Sequence, residues 1–212
     1  MLSLISRDVA QAWRAGGAML PVVFFLLVAT LFAFAVGPDA KLLARTGGGV
    51  LWMAALLAAL LPVDRLVEPD RLNGTLDQLL IRGQSDESIA AAKLIAHWLG
   101  FGPPLMISVL PAAALLRVDA PTLFRLEAGL AIGTPALAAL GLTVSALTVG
   151  LRGAGALGGL LMLPLAVPVL IFGAGALNDE SGSALKLLAA AALLLVAGAP
   201  FAAGAALRAA RT

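Results

Sequence analysis

Hydrophobic positions along the chain gather into six long runs, at about 19–37, 47–63, 94–116, 126–149, 157–177 and 185–207. Runs of roughly 17–25 apolar residues are long enough to cross a ~30 Å hydrocarbon core as helices. The pattern predicts an all-α polytopic membrane protein with six spans. Little is left over for a separate soluble region, so residues 1–212 read as one domain. The longest polar interruption, 64–93, holds ten of the 26 charged residues. Within it Leu72, Leu76, Leu79 and Leu80 follow helical spacing, with Arg71, Asn73, Asp77 and Gln78 on the other face. This predicts a short amphipathic helix outside the bilayer, its leucines buried against a groove on a soluble partner. Lying on lipid is the alternative, which Asp70 and Asp77 disfavour at anionic headgroups. Ahead of the first span, Leu2, Ile5, Val9, Ala12 and Trp13 share one helical face and Arg7, Gln11 and Arg14 the other. That is the pattern of a helix in the interface plane, with Trp13 at headgroup level.

Punctuation refines the runs. Gly37-Pro38 ends the first span; Gly47-Gly48-Gly49 opens the second and Pro62 ends it. Ser85 is placed to cap the third, with Asp86 and Glu87 complementing the dipole in its first turn. Gly102-Pro103-Pro104 predicts a break or kink inside the membrane. Pro164 and Pro168, followed by Gly173 and Gly175, predict a fifth span that is buried in the bundle or re-entrant. Gly129 with Gly133, and Gly155 with Gly159, are spaced for close helix approach. No ionisable residue sits at a span centre, where a charge costs about 2.5–3.5 kcal/mol or more; Glu127 and Lys186 lie near span ends. A proton- or sodium-coupled carrier is disfavoured.

Composition agrees: 61% hydrophobic and 12% charged, against ~25% charged in soluble domains. Cysteine is absent, which excludes disulfides and thiolate metal sites. A net charge of +2 points to membrane topology and not to nucleic acid. With six spans, the side holding both termini, 64–93 and 150–156 carries nine Lys and Arg against five on the other. The positive-inside rule places that side in the cytoplasm.

Catalytic chemistry is sparse. No lysine follows a glycine, so there is no Walker A element, and any ATP is hydrolysed on another polypeptide. The single histidine, His97, stands beside Trp98 near one end of the third span; a structural role is the plainer reading, an axial haem contact the sharper one. One histidine without cysteine or tyrosine cannot build a multi-ligand metal site, and no nucleophile motif pairs with it.

The segment Asp70-Arg71-Leu72-Asn73-Gly74-Thr75-Leu76-Asp77-Gln78-Leu79-Leu80 resembles the Gly-Thr-Leu element of ABC-2-type exporter permeases, where it forms the helix that docks on the ATPase. Gly74 permits a tight turn and Thr75 is placed to cap. Over nearly its whole length the chain resembles the CcmB family, the permease-like subunit of the cytochrome c maturation system. The carrying segments include Gly49-Val50-Leu51-Trp52, Lys93-Leu94-Ile95-Ala96-His97-Trp98, Gly133-Thr134-Pro135 and Pro168-Val169-Leu170-Ile171-Phe172-Gly173-Ala174-Gly175.

The resemblance implies an ABC-2-type permease fold with a cytoplasmic coupling helix built on Asp70, Leu72, Gly74, Thr75, Leu76, Asp77, Leu79 and Leu80. It implies a soluble ATPase partner (CcmA), two copies of each, assembly with the haem-handling protein CcmC and the small protein CcmD, and action with the haem chaperone CcmE. Haem is then the transported or handled ligand, with no covalent cofactor on this chain, in the inner membrane of a bacterium. Either haem passes between spans, or the ATP stroke works as a lever on partner subunits. The scarcity of axial ligands and of arginines in the spans leans toward the lever. A general ABC-2 permease for a lipid, drug or polysaccharide is the alternative, and a membrane scaffold uncoupled from ATP a third reading.

Overall fold

The computed structural model describes residues 1–14 and 16–211. Every regular element among them is helical: α1 (Leu2–Arg14), α2 (Met19–Val36), α3 (Ala40–Leu60), a 3₁₀ turn (Val63–Arg65), α4 (Glu68–Leu72), α5 (Thr75–Ile81), α6 (Asp86–Leu115), α7 (Ala120–Thr148), α8 (Ala154–Gly175) and α9 (Ser183–Ala209). Six of them, α2, α3, α6, α7, α8 and α9, are long and apolar enough to cross a membrane.

The bundle is organised around α7, which is the most deeply buried span and packs against α3, α6, α8 and α9. Small residues make that position habitable, because glycines and alanines let several helices approach one backbone. Helix α2 bridges α3 and α6, burying only Pro21, Phe25 and Ala29 at four-residue spacing. Its remaining faces carry Val23, Leu27, Leu31 and Phe34 outward, as expected of a helix in contact with lipid. α1 packs on α6.

Several boundaries differ from the sequence pattern. α3 begins at Ala40, where the Asp39 carboxylate accepts the Lys41 and Leu42 N–H groups at 3.1 and 3.0 Å. The Gly47-Gly48-Gly49 run therefore lies inside the second span and does not open it. A Cβ on Gly47 would meet Val118 at 2.8 Å, and one on Gly48 would meet Leu177 at 2.9 Å, whereas Gly49 faces open space; Gly47 and Gly48 form a packing surface. α6 begins where expected, with the Ser85 hydroxyl accepting the Ser88 N–H at 3.2 Å. It then continues through Gly102-Pro103-Pro104 and Pro111 without a break. At 30 residues and ~1.5 Å per residue it is ~45 Å long, so it extends beyond the hydrocarbon core. α8 is neither re-entrant nor enclosed. It runs 22 residues with one buried stripe of Gly158, Met162, Ala166, Val169 and Gly173, and Pro164 and Pro168 lie exposed on its outer side.

Both described chain ends lie at the end of the bundle that carries α4, α5, the start of α6 and the α7–α8 connection. Arg208 of the last helix and Arg211 just after it reach the start of α6 there, and Arg7 of α1 reaches α4.

Candidate functional site

The segment expected to form one leucine-faced helix is instead two short helices hinged at Asn73-Gly74. Gly74 has φ +66°, a left-handed conformation that costs other residues roughly 1–2 kcal/mol. α5 starts directly from it, with no side-chain cap, so Thr75 does not take the capping role its type allows. α5 ends in a Schellman turn: Gly83, at φ +81°, donates to Leu80 and Gln84 to Leu79.

The break divides the leucines. Leu76 is buried in this chain's own core, and Leu79 and Leu80 are half-buried against it. Leu72 is 70% exposed and Ile81 86% exposed, so the apolar surface open to a partner sits at the far ends of the two helices. Asp77 and Gln78 face outward, as the pattern predicts. Asp70 does not: it is buried and ion-paired.

That pairing is the most consequential feature hidden from the sequence. Asp70 Oδ2 accepts from Lys93 Nζ of α6 and, at 2.9 Å, from Arg7 Nη2 of α1. Arg7 also donates to Asp8 Oδ1 at 2.6 and 2.8 Å. Lys93 Nζ donates further to the Leu66 carbonyl at 3.0 Å and to Asp8 Oδ2 at 3.4 Å. Two cations and two anions thus close a neutral cluster in which the Lys93 side chain is only 5% exposed. It fastens α1, α4 and α6 together. Sequence separations of 63 and 23 residues gave no local signal. The available clue was a lysine set among the alanines and leucines that begin a span.

Two more ties meet at this end. Glu68 of α4 accepts from Arg71 at 2.6 and 3.2 Å and from the Gly150 N–H, in the α7–α8 connection, at 3.0 Å. The Arg71 guanidinium holds the Glu68 carboxyl below its ordinary range. Asp86 accepts two hydrogen bonds from Arg211, each at 2.7 Å, and its Oδ2 also lies 3.7 Å from Arg208 Nη1, while Glu87 accepts from Arg208. The two carboxylates expected only to complement the α6 dipole also bind the C-terminal end of α9.

Within the bundle, separate sequence segments converge on α7. The Trp52 indole of α3 is fully buried in a slot where a Cβ on either Gly133 or Gly173 would approach it to 2.4 Å. A Cβ on Gly129, one turn from Gly133, would also meet it, at 3.2 Å. The next residue, Thr134, accepts from Trp98 Nε1 of α6 at 3.1 Å. His97 beside it is buried, its ring 4.8 Å from that of Phe101. Its Nε2 has no hydrogen-bond partner among the described residues and lies where a Cβ on Gly141 would be 3.4 Å away. The other glycine pair divides: Gly155 faces Asp64, and Gly159 faces open space.

Between α1 and α6, next to the ion cluster, is a cavity of about 280 Å³. No group of three or more His, Asp or Glu side chains able to hold a metal occurs among the described residues.

A family profile described as CcmB protein matches residues 1–210. Heme exporter protein B of Rhodobacter capsulatus is 45% identical to this chain over 98% of each. The protein of the same name from Paracoccus denitrificans is 46% identical, again over 98% of each. That from Haemophilus influenzae is 44% identical over 98% of this chain and 96% of its own.

Proposed function

Since this chain belongs to the CcmB family, we propose that it is the membrane permease subunit of an ABC-type exporter serving haem delivery for c-type cytochromes, with ATP hydrolysed on a separate subunit. The full-length likeness to proteins named heme exporter protein B carries this reading. Both termini and the 63–84 segment face the cytoplasm, following the lysine and arginine bias. The ATPase, a CcmA-like subunit, docks on the α4–α5 element. CcmC-, CcmD- and CcmE-like partners receive the output.

The geometry favours a lever over a passage. Force applied at Leu72 and Ile81 enters α4 and α5, which are short and hinged at Gly74. From α4 it has two stiff exits: Asp70 to Lys93 and Arg7, hence to α6 and α1, and Glu68 to Gly150, hence to the α7–α8 connection. Asp70, Gly74 and Leu76 then act inside the coupling element, while Leu72, Asp77 and the ends of α5 meet the motor. His97, held against Phe101 and Gly141, is a packing residue of α6 in this mechanism.

The test replaces Leu72 or Ile81 by Asp. Both side chains are exposed, so the variants are expected to insert and fold normally, yet to lose ATPase co-purification and c-type cytochrome production. Undiminished ATPase capture by both would sink the docking assignment.

A further inference from the structure

The cavity between α1 and α6 is bordered by the ion cluster and by Arg65 and walled by Ala12, Ala96, Gly100 and Phe101, with Gln11 and His97 as further polar members of its lining. Protein interiors are packed to the density of organic crystals, so a cavity of this size at a bundle end has room for an occupant. Water is a poor one. About 280 Å³ would take roughly nine waters at ~30 Å³ each, and each wants about three hydrogen bonds, more than the few polar groups in this predominantly apolar lining supply. A slender apolar chain fits both the volume and the walls.

Charge specifies the rest of the molecule. Lys93 and Arg7 are matched by Asp70 and Asp8. Arg65 makes no ion pair or side-chain hydrogen bond among the described residues and is exposed. Among the described residues the lining therefore presents one cation without an ion pair beside an otherwise neutral cluster, and one side of it is formed by α1, an amphipathic helix with Leu2 and Trp13 exposed. Such helices lie at the headgroup level of a bilayer.

We propose that this cavity is a phospholipid site. One acyl chain of an anionic phospholipid enters between α1 and α6, passing Ala96 and Gly100 toward Phe101, and its phosphate meets Arg65. The lipid is then a structural filler of the joint through which α1, α4 and α6 are fastened, and the stiffness of that joint depends on it. The assignment rests on the cavity and on α1 at the membrane surface, not on haem as the cargo.

Native mass spectrometry of the purified full chain, released from mild detergent, tests it. The wild type is expected to retain one phospholipid, enriched in phosphatidylglycerol over phosphatidylethanolamine. A Cβ on Gly100 meets only Ala12, at 3.8 Å, so Gly100→Leu grows into the void and should lower lipid occupancy at least tenfold. Ala12→Leu fills it from the opposite wall and serves if Gly100→Leu does not fold. Arg65→Gln should keep a lipid but reduce the anionic preference about fivefold, the effect of one cation near an anionic surface. Independently, a phosphatidylglycerol with a photoactivatable acyl chain should label residues 96–101. Equal retention by wild type and both filled variants, a free fatty acid or detergent as the retained species, or labelling confined to outward faces such as that of α8 would each overturn the proposal.

Discussion

Replacing Lys93 by Met should be among the most damaging single changes in this chain, although it makes a membrane protein more apolar. The Lys93 ammonium has three donors, and all three are used, on Asp70, Leu66 and Asp8. With the lysine gone, two carboxylates at 12% and 15% side-chain exposure share one guanidinium that is itself 38% exposed. Breaking a buried pair from one side costs about 3–5 kcal/mol, because an uncompensated charge stays behind. At 1.36 kcal/mol per decade that is roughly two to four orders of magnitude in the folding equilibrium. The cost comes from imbalance, so removing the opposite charge as well should recover it. In Lys93→Met with Asp70→Asn, the remaining Arg7–Asp8 pair is neutral, and at least half the loss should return. Unfolding of the purified protein in mixed micelles, followed by tryptophan fluorescence across a denaturing-detergent titration, measures all three variants. A loss below about 1 kcal/mol in the single variant, or additive losses in the double, would refute the cluster as a buried, charge-balanced joint.

Other consequences can be checked separately. Leu76→Asp should reduce folded yield, because Leu76 is 5% exposed and burial of a leucine contributes about 1.5–3 kcal/mol, whereas Leu72→Asp leaves yield unchanged; comparing membrane-extracted monodisperse protein separates the two. Gly133→Ala or Gly173→Ala drives a methyl to 2.4 Å from Trp52 and should cost about 1–3 kcal/mol by overpacking, with a smaller residue at Trp52 relieving part of it in a double-mutant cycle. The Glu68 carboxyl is held below its ordinary value of 4.5 by Arg71. A depressed folded-state value means that its tie to Gly150 is at full strength above 4.5 and is lost as pH falls through the lower folded value. Amide exchange at Gly150 should accelerate in that acidic window and not at neutral pH, and Glu68→Gln should flatten the profile.

Six spans were legible because lipid leaves a helix no alternative: each run had to be long, apolar and self-satisfied in its backbone hydrogen bonds. The ends of those spans were less legible. Gly47-Gly48-Gly49 reads as the opening of a span, yet Asp39 caps the helix earlier and Gly47 and Gly48 are needed where Leu116, Val118 and Leu177 press on α3. Prolines misled in the opposite direction. Pro103, Pro104, Pro164 and Pro168 each remove a donor, but none interrupts its helix. The leucine pattern marked the helical segment proposed to dock, while its inward and outward leucines were not told apart. Periodicity assigns faces only within one continuous helix, and the left-handed Gly74 resets the phase between Leu72 and Leu76. The pairing of Asp70 with Lys93 is tertiary and had no periodic signature at all.

How the charges are spent distinguishes the two ends of the bundle. All ion pairs among the described residues, from Arg7–Asp70 to Arg211–Asp86, lie at the end that carries α4 and α5. At the other end Lys41, Arg45, Arg117 and Lys186 have no such partner, and Arg125 donates only to the Leu177 carbonyl, at 3.0 Å. Exposed pairs add little stability, so a chain that merely needed to turn back into the membrane would gain almost nothing from such an arrangement. Transmitting displacement is a different requirement. A motor pushing on a five-residue and a seven-residue helix moves the spans only if those helices are fastened to them. The buried cluster fastens α4 to α1 and α6, Glu68 fastens it to the α7–α8 connection, and the Arg208 and Arg211 contacts fasten α6 to α9. Cutting the Glu68 tie alone should therefore leave ATPase capture intact while lowering c-type cytochrome output, a separation that a purely structural role for these charges would not produce.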